Sequence, residues 1–222
     1  MSDDDLDDLI RRVDPDRWLS SRFIGDAKLR ADVIAIYAYD HELARAPKVA
    51  SNPLLGEIRL TWWREALDEI YEGRPARRHP TAQALAGVVK RHGLERAMLE
   101  DMIDARYREL DATPMSEEEA LDWARDTGGW AAVLAARILD PDSPAENAAL
   151  GGCLWMLRGM FETRPDMRIA IGRTASHAMI DARFMSAAAF PAVAHATLVM
   201  RPAKSEIGRR LRLTWAVARG RL

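Results

Sequence analysis

Leu55-Gly56-Glu57-Ile58-Arg59-Leu60-Thr61-Trp62-Trp63-Arg64-Glu65-Ala66-Leu67 sets its large apolar residues three and four apart, and Ile70 and Tyr71 extend the series. That is the repeat of one helical face. Two adjacent tryptophans cannot share such a face. At least one of Trp62 and Trp63 therefore meets a second helix, a cavity or a partner. Core burial is the commoner fate of so much aromatic area. The expectation is that one of them packs on the helix carrying Met98 and Met102, or on the helix carrying Leu29 and Val33.

The same period runs outward in both directions. Leu29, Val33 and Ile36/Tyr37 form one stripe; Leu94, Met98 and Met102 with Leu99, Ile103, Tyr107 and Leu110 form another. No period-two stretch interrupts them, so the fold class is all-α. Ala46-Pro47, Asn52-Pro53, Gly73-Arg74-Pro75, His79-Pro80, Thr113-Pro114 and Asp140-Pro141 mark the breaks. Ser116 with Glu119 has capping-box spacing, and Ser143-Pro144 with Glu146 reads as a second helix start. The predicted organisation is one helical domain over residues 1–222, with residues 1–10 as a disordered acidic tail.

At 222 residues, 48% hydrophobic and 30% charged, the chain can bury a core without staples. Its single cysteine, Cys153, excludes a disulfide framework and any multi-cysteine zinc site. The net charge of −2 argues against a nucleic-acid partner. No apolar run reaches membrane-spanning length, and the acidic start is unlike a signal or transit peptide. The expected location is the cytoplasm, with peripheral contact at the inner face of the membrane as an added option.

Chemistry-bearing residues are sparse. His41, His79, His92, His177 and His195 show no metal-ligand spacing. Cys153 sits among apolar residues and reads as a buried, inert thiol. Gly128-Gly129 and Gly151-Gly152 lack a nucleotide fingerprint and suit close helix packing. Asp104 and Asp111, seven apart, and Glu162 and Asp166, four apart, are either solvated surface acids or ligands for a metal and a diphosphate. Near the C-terminus, Ile207, Leu211 and Trp215 share one face, with Arg209, Arg210 and Arg212 beside them. This segment is either a terminal helix docked on the core or one that lies on an anionic membrane surface.

Several motifs together resemble the squalene/phytoene synthase family. They are Asp14-Pro15-Asp16-Arg17-Trp18-Leu19, Ala35-Ile36-Tyr37-Ala38-Tyr39 with Glu42-Leu43, the Gly56–Leu67 run, and Tyr71-Glu72-Gly73-Arg74-Pro75 with His79–Leu85. Ile103-Asp104-Ala105-Arg106 with Leu110-Asp111, Leu121-Asp122-Trp123 and the closing Arg209–Leu213 with Arg219-Gly220-Arg221 continue it. The likeness covers residues 11 to 160 and the last twenty. It implies the isoprenoid-synthase bundle around a central cavity, where two aspartate-rich helices hold Mg²⁺ and two prenyl diphosphates condense head to head.

The resemblance fails where that chemistry needs acids. Ungapped, the three positions of the first aspartate motif fall on Ala44, Arg45 and Lys48. The second motif has Arg158 at its asparagine position and Glu162 and Asp166 at its acids, with Pro165 between them. A branch with degenerate motifs, which includes a phytoene-synthase-like complex I assembly factor, resembles this pattern most in Glu42-Leu43-Ala44-Arg45 and Leu55–Leu60. Three functions follow as expectations. The first is a non-catalytic assembly or interaction factor for a respiratory complex, with no cofactor. The second is a Mg²⁺-dependent prenyltransferase using Asp104, Asp111, Glu162 and Asp166. The third is a metal-free prenyl diphosphate or lipid binder using Arg45, Lys48 and Arg158.

Overall fold

The computed structural model describes residues 3–48 and 52–222, and among these residues every regular element is helical. Helix α1 (Asp3–Val13) corrects the expectation of a disordered start; Met1 and Ser2 lie outside the described residues. Leu6 and Ile10 are buried, four apart on one face, and Leu9 packs beside them. The run of acids hides this amphipathic repeat while favouring a helix N-terminus. Asp7 also accepts a hydrogen bond from Trp18 Nε1 at 2.8 Å, which ties α1 to α2 (Pro15–Ser21).

Helix α3 (Ala27–Lys48) is the axis of the fold. Val33 to Asp40 is buried without a gap, so this stretch faces neighbours on every side. The break expected at Ala46-Pro47 lies inside α3, whose last turn carries Pro47 and ends one residue later. Helix α4 (Pro53–Tyr71) starts from Asn52, whose side chain accepts from Leu55 N at 3.0 Å, with Pro53 at its first position. It packs on both α3 and α6 (Arg96–Tyr107). Trp63 is 4% exposed and meets Tyr39 of α3 edge-on, ring centroids 5.3 Å apart. The expected burial of one tryptophan is met, while Trp62 stays half-buried. Helix α5 (Pro80–His92) closes this half at Gly93, which has φ +60°.

The second half turns on α7 (Glu117–Ala124), α8 (Trp130–Leu139) and α9 (Ala149–Leu157). Ser116 and Glu119 form the predicted capping box. A single π turn, Arg125–Gly129, joins α7 to α8. There Gly128 meets Gly152 of α9 backbone to backbone: a Cβ on Gly152 would lie 2.0 Å from the Gly128 carbonyl oxygen. The helix start expected at Ser143-Pro144 is instead a 3-10 turn, Ala145–Ala148, with no side-chain cap. The Ser143 hydroxyl accepts from Ser186 N at 3.4 Å instead. Cys153 lies in a second apolar cluster with Leu157, Met167 and Ile171, and burial pushes its thiol up to about 12. Short helices α10 (Met160–Thr163) and α12 (Thr197–Met200) flank α11 (Arg168–Asp181). Helix α13 (Glu206–Arg219) ends the fold between a Ser205 cap and Gly220 at φ +58°. No helix among the described residues is long and apolar enough to cross a membrane.

Candidate functional site

Tyr37, Asp40, Ala44 and Lys48 recur at helical spacing along α3 and line one wall of a cavity of about 340 Å³. Asp14 and Arg17 from the start of α2, Arg106 from α6, Trp123 from α7 and Trp155 and Arg158 at the end of α9 complete it. Local sequence fixes these placements. Asp14 caps α2 by accepting from Arg17 N at 3.2 Å, and Pro15 follows at the first position, which sets Arg17 in the first turn. Arg106 continues the apolar stripe of Leu99, Met102 and Ile103 and is therefore carried inward, 1% exposed.

Under the cavity floor is a buried ionic network. Arg17 Nη1 donates to Asp40 Oδ2 at 2.5 Å, and Arg106 Nη2 donates to Asp40 Oδ1 at 2.6 Å. Arg106 Nη1 also reaches Glu109 Oε1 at 2.6 Å, which Trp123 Nε1 shares at 2.9 Å. Burial alone would raise the Asp40 carboxyl, but Arg106 and Arg17 outweigh it and hold it well below the usual carboxylate range. Arg17 Nε and Arg106 Nε have no hydrogen-bond partner, although Arg17 Nε lies 3.8 Å from Asp14 Oδ2 in an ion pair. Arg158 stacks on Trp155, 3.9 Å from its ring, and donates Nη1 to the Trp155 carbonyl at 2.7 Å. Neither Lys48 nor Arg158 forms an ion pair with a carboxylate among the described residues. Burial lowers the Arg158 pKa against the opposing pull of Asp14, with Arg17 adding to the lowering and Asp16 and Asp40 to the opposition.

The residues singled out from sequence are only partly brought together. Lys48 and Arg158 share the cavity. Arg45 does not: it pairs with Glu42 at 3.0 Å and lines a separate cleft of about 300 Å³ with Arg59, Trp62, Trp63 and His79. The four acids stay apart. Helix α6 ends at Tyr107, so Asp104 and Asp111 are not on one helical face. Asp104 is exposed and pairs with Arg64, while Asp111 pairs with Arg108 at 3.6 Å. Glu162 is exposed on α10, which stops before Pro165, and Asp166 faces solvent paired with Arg164 at 2.6 Å. Among the described residues no three acids, histidines or cysteines converge to hold a metal. Mg²⁺ wants an octahedron of oxygens; a methyl and an ammonium at positions 44 and 48 do not supply it. The residues present do not fit the metal.

Arg17, Arg106, Tyr37, Trp123 and Trp155 were not picked out as site residues, although most sit in the motifs quoted above. The available signal was an ionic residue within an apolar stripe. Arg106 follows Leu99 and Ile103, and Asp40 follows Val33 and Ile36/Tyr37. Two such residues point to a buried pair.

An all-α bundle with this helix-lined cavity defines the isoprenoid-synthase class of fold. The chain belongs to the squalene/phytoene synthase family, whose family model matches residues 10–156. The likeness read in residues 209–221 lies beyond that span. NADH dehydrogenase (ubiquinone) complex I, assembly factor 6 of Bos taurus is 30% identical over 144 residues, 64% of this chain and 43% of the relative. The Homo sapiens protein of that name matches over the same lengths at 30%. The chain thus spans less than half the length of these relatives. Among solved structures, a dehydrosqualene synthase in complex with ligand superposes with a TM-score of 0.74 at 13% identity, over 98% of this chain and 95% of that one. That likeness shows the fold. The resemblance drawn from the motifs, down to the branch that includes a complex I assembly factor, stands.

Proposed function

We propose that this protein is a non-catalytic member of its family that acts as an assembly or interaction factor for a membrane respiratory complex of the complex I type, at the inner face of that membrane. The observation that carries the reading is the pair Ala44 and Lys48. They face the cavity where the resemblance puts metal-binding acids. The relatives' names support the partner class. The prenyltransferase reading has less support, because its four acids are dispersed and mostly paired with arginines. Two measurements test the proposal. Purified protein incubated with farnesyl or geranylgeranyl diphosphate and Mg²⁺ should release no pyrophosphate. Deletion of the gene should lower the content of assembled complex I on native gels, restored by the wild-type gene. Turnover in the first, or normal assembly in the second, overturns it.

One observation favours a second, compatible reading. Lys48 and Arg158, neither ion-paired with a carboxylate among the described residues, line the cavity with Arg17 and Arg106, four cations against the two acids Asp14 and Asp40. Such a set can hold a phosphate-bearing molecule without metal through charge-assisted hydrogen bonds. Calorimetric titration with pyrophosphate in the presence of a chelator tests it; Lys48→Ala should weaken binding.

A further inference from the structure

The outer face of α13 has no partner among the described residues. Ile207, Leu211 and Trp215 follow one another at four-residue spacing and are 72%, 65% and 58% exposed. On the helical wheel Ala218, also exposed, falls between them. The opposite face carries Leu213 and Ala216, both buried, where α13 packs on α2 and α12. Folding therefore consumes one side of the helix and leaves three turns of apolar surface outside, more than scattered single residues would give.

The cations are arranged around that face. Arg209 is not among them, which corrects the sequence expectation: it points inward and ion-pairs with Asp16 of α2 at 3.3 Å. Arg210 flanks one edge, paired with Glu206 at 2.5 Å. Arg212 and Arg219 flank the other. The Arg212 guanidinium donates only to the carbonyls of Arg201 and Pro202, and Arg219 lies over the Trp215 ring at 3.9 Å. Neither charge pairs with a carboxylate among the described residues. Arg201, Lys204 and Arg221, all exposed, add to the same end of the molecule.

We infer that α13 is a membrane-docking helix that lies in the headgroup plane of an anionic bilayer. Ile207, Leu211 and Trp215 enter the acyl boundary, while Arg210, Arg212 and Arg219 meet lipid phosphates. The charge pattern selects a bilayer over a protein groove. Cations border both edges of an apolar strip that ends in an interfacial tryptophan, the composition of helices that lie on membranes. This goes beyond the assembly reading and does not depend on it, because a bare vesicle is the binding partner.

The test is flotation of the full chain with phosphatidylcholine vesicles, with and without phosphatidylglycerol, at low and high salt. The wild type should float with the anionic vesicles at low salt and detach at high salt, because surface attraction fades within a Debye length. Replacing Arg212 and Arg219 together by Ser should lower partitioning roughly thirtyfold, near fivefold for each cation. Leu211→Glu should abolish it, and since Leu211 is exposed the fold is retained, which circular dichroism checks. Arg209→Ser should leave binding unchanged. No flotation of the wild type at low salt overturns the inference and leaves the face to a protein partner; so does equal flotation of wild type and the Arg212/Arg219 variant.

Discussion

Arg106 of α6 reaches Asp40 of α3 across the bundle, Nη2 to Oδ1 at 2.6 Å, with both side chains buried. Arg17 holds the other carboxylate oxygen, so one acid joins three helices. A buried pair of this kind contributes little against an apolar replacement, but removing one partner strands the other in low dielectric. Asp40→Asn removes the carboxylate that both guanidinium groups share, leaving Glu109 to Arg106 and the more distant Asp14, at 3.8 Å, to Arg17. It should destabilise the protein by about 3–5 kcal/mol in urea denaturation. A loss under about 1 kcal/mol would mean that Glu109 and solvent already balance the arginines. The pH dependence follows the depressed Asp40 pKa, about 2 in the folded chain. The stabilisation is present above the unfolded value near 4 and is lost as pH falls toward 2.

Gly128 and Gly152 bring the π turn and α9 into backbone contact. A Cβ on Gly152 would sit 2.0 Å from the Gly128 carbonyl oxygen and 2.8 Å from the Ala132 Cβ, where no flexible side chain can give way. Gly152→Ala should therefore cost about 3 kcal/mol, the upper end of overpacking. Gly172→Ala on α11 is the control: its added methyl meets nothing within 4 Å. That substitution should raise stability by about 0.5–1 kcal/mol through helix propensity. Thermal melts of the two variants moving in the same direction would contradict this packing.

The architecture was readable because its signals are local and repeated. The repeat over Leu55–Leu67 and the Ser116–Glu119 box report on their own helices, and both helices reappear in the structure, but the stripe of Leu55 and Ile58 is exposed and α4 buries Leu60, Trp63 and Leu67 instead. The cavity was harder, because it depends on which helices meet. Asp104 and Asp111 look paired on paper, but one helix ending at Tyr107 separates them. Arg45 and Lys48 are three apart and open into different clefts. Asp40 and Arg106 are 66 residues apart in sequence, and only a charged residue within each apolar stripe hinted at their contact. The N-terminal helix was missed for the opposite reason: the acids dominate the composition and mask Leu6, Leu9, Ile10 and Val13.

His195 is fully buried, and neither ring nitrogen has a partner. Its ring lies edge-on to Trp155, centroids 5.0 Å apart. Burial holds its pKa well below the ordinary histidine value, and the positive charges of Arg17 and Arg158 push the same way. The folded chain thus refuses a proton that the unfolded chain accepts below about pH 6.5. Because the unfolded state binds more protons there, stability falls as pH drops from 6.5, by up to about 1.4 kcal/mol per pH unit for this group. Burial shifts His41 and His79 in the same direction. His195→Gln should therefore reduce the acid slope of unfolding free energy between pH 6.5 and 5 by one proton's share rather than abolish it. An unchanged slope would show that the imidazole takes its proton while the chain is folded.

Ala44 and Lys48 occupy the cavity wall, and the cations Arg17, Lys48, Arg106 and Arg158 outnumber the acids Asp14 and Asp40 along the lining. A divalent cation would have to overcome that excess and find oxygens, while Asp40 is already held by two arginines and Asp14 caps α2 and pairs with Arg17 at 3.8 Å. Millimolar Mg²⁺ should leave the melting temperature unchanged. Pyrophosphate in the presence of a chelator should raise it, since a ligand bound only by the folded state adds RT ln(1 + [L]/Kd), about 2.7 kcal/mol at a hundredfold excess over Kd. Lys48→Ala should shrink that shift, whereas Asp166→Asn, far from the cavity cations and paired with Arg164, should not. The opposite pattern is just as legible in a thermal scan: a shift with Mg²⁺ alone, or pyrophosphate acting only when Mg²⁺ is present. Either would mean that oxygen ligands assemble in this cavity on binding, and would return the chain to the catalytic side of its family.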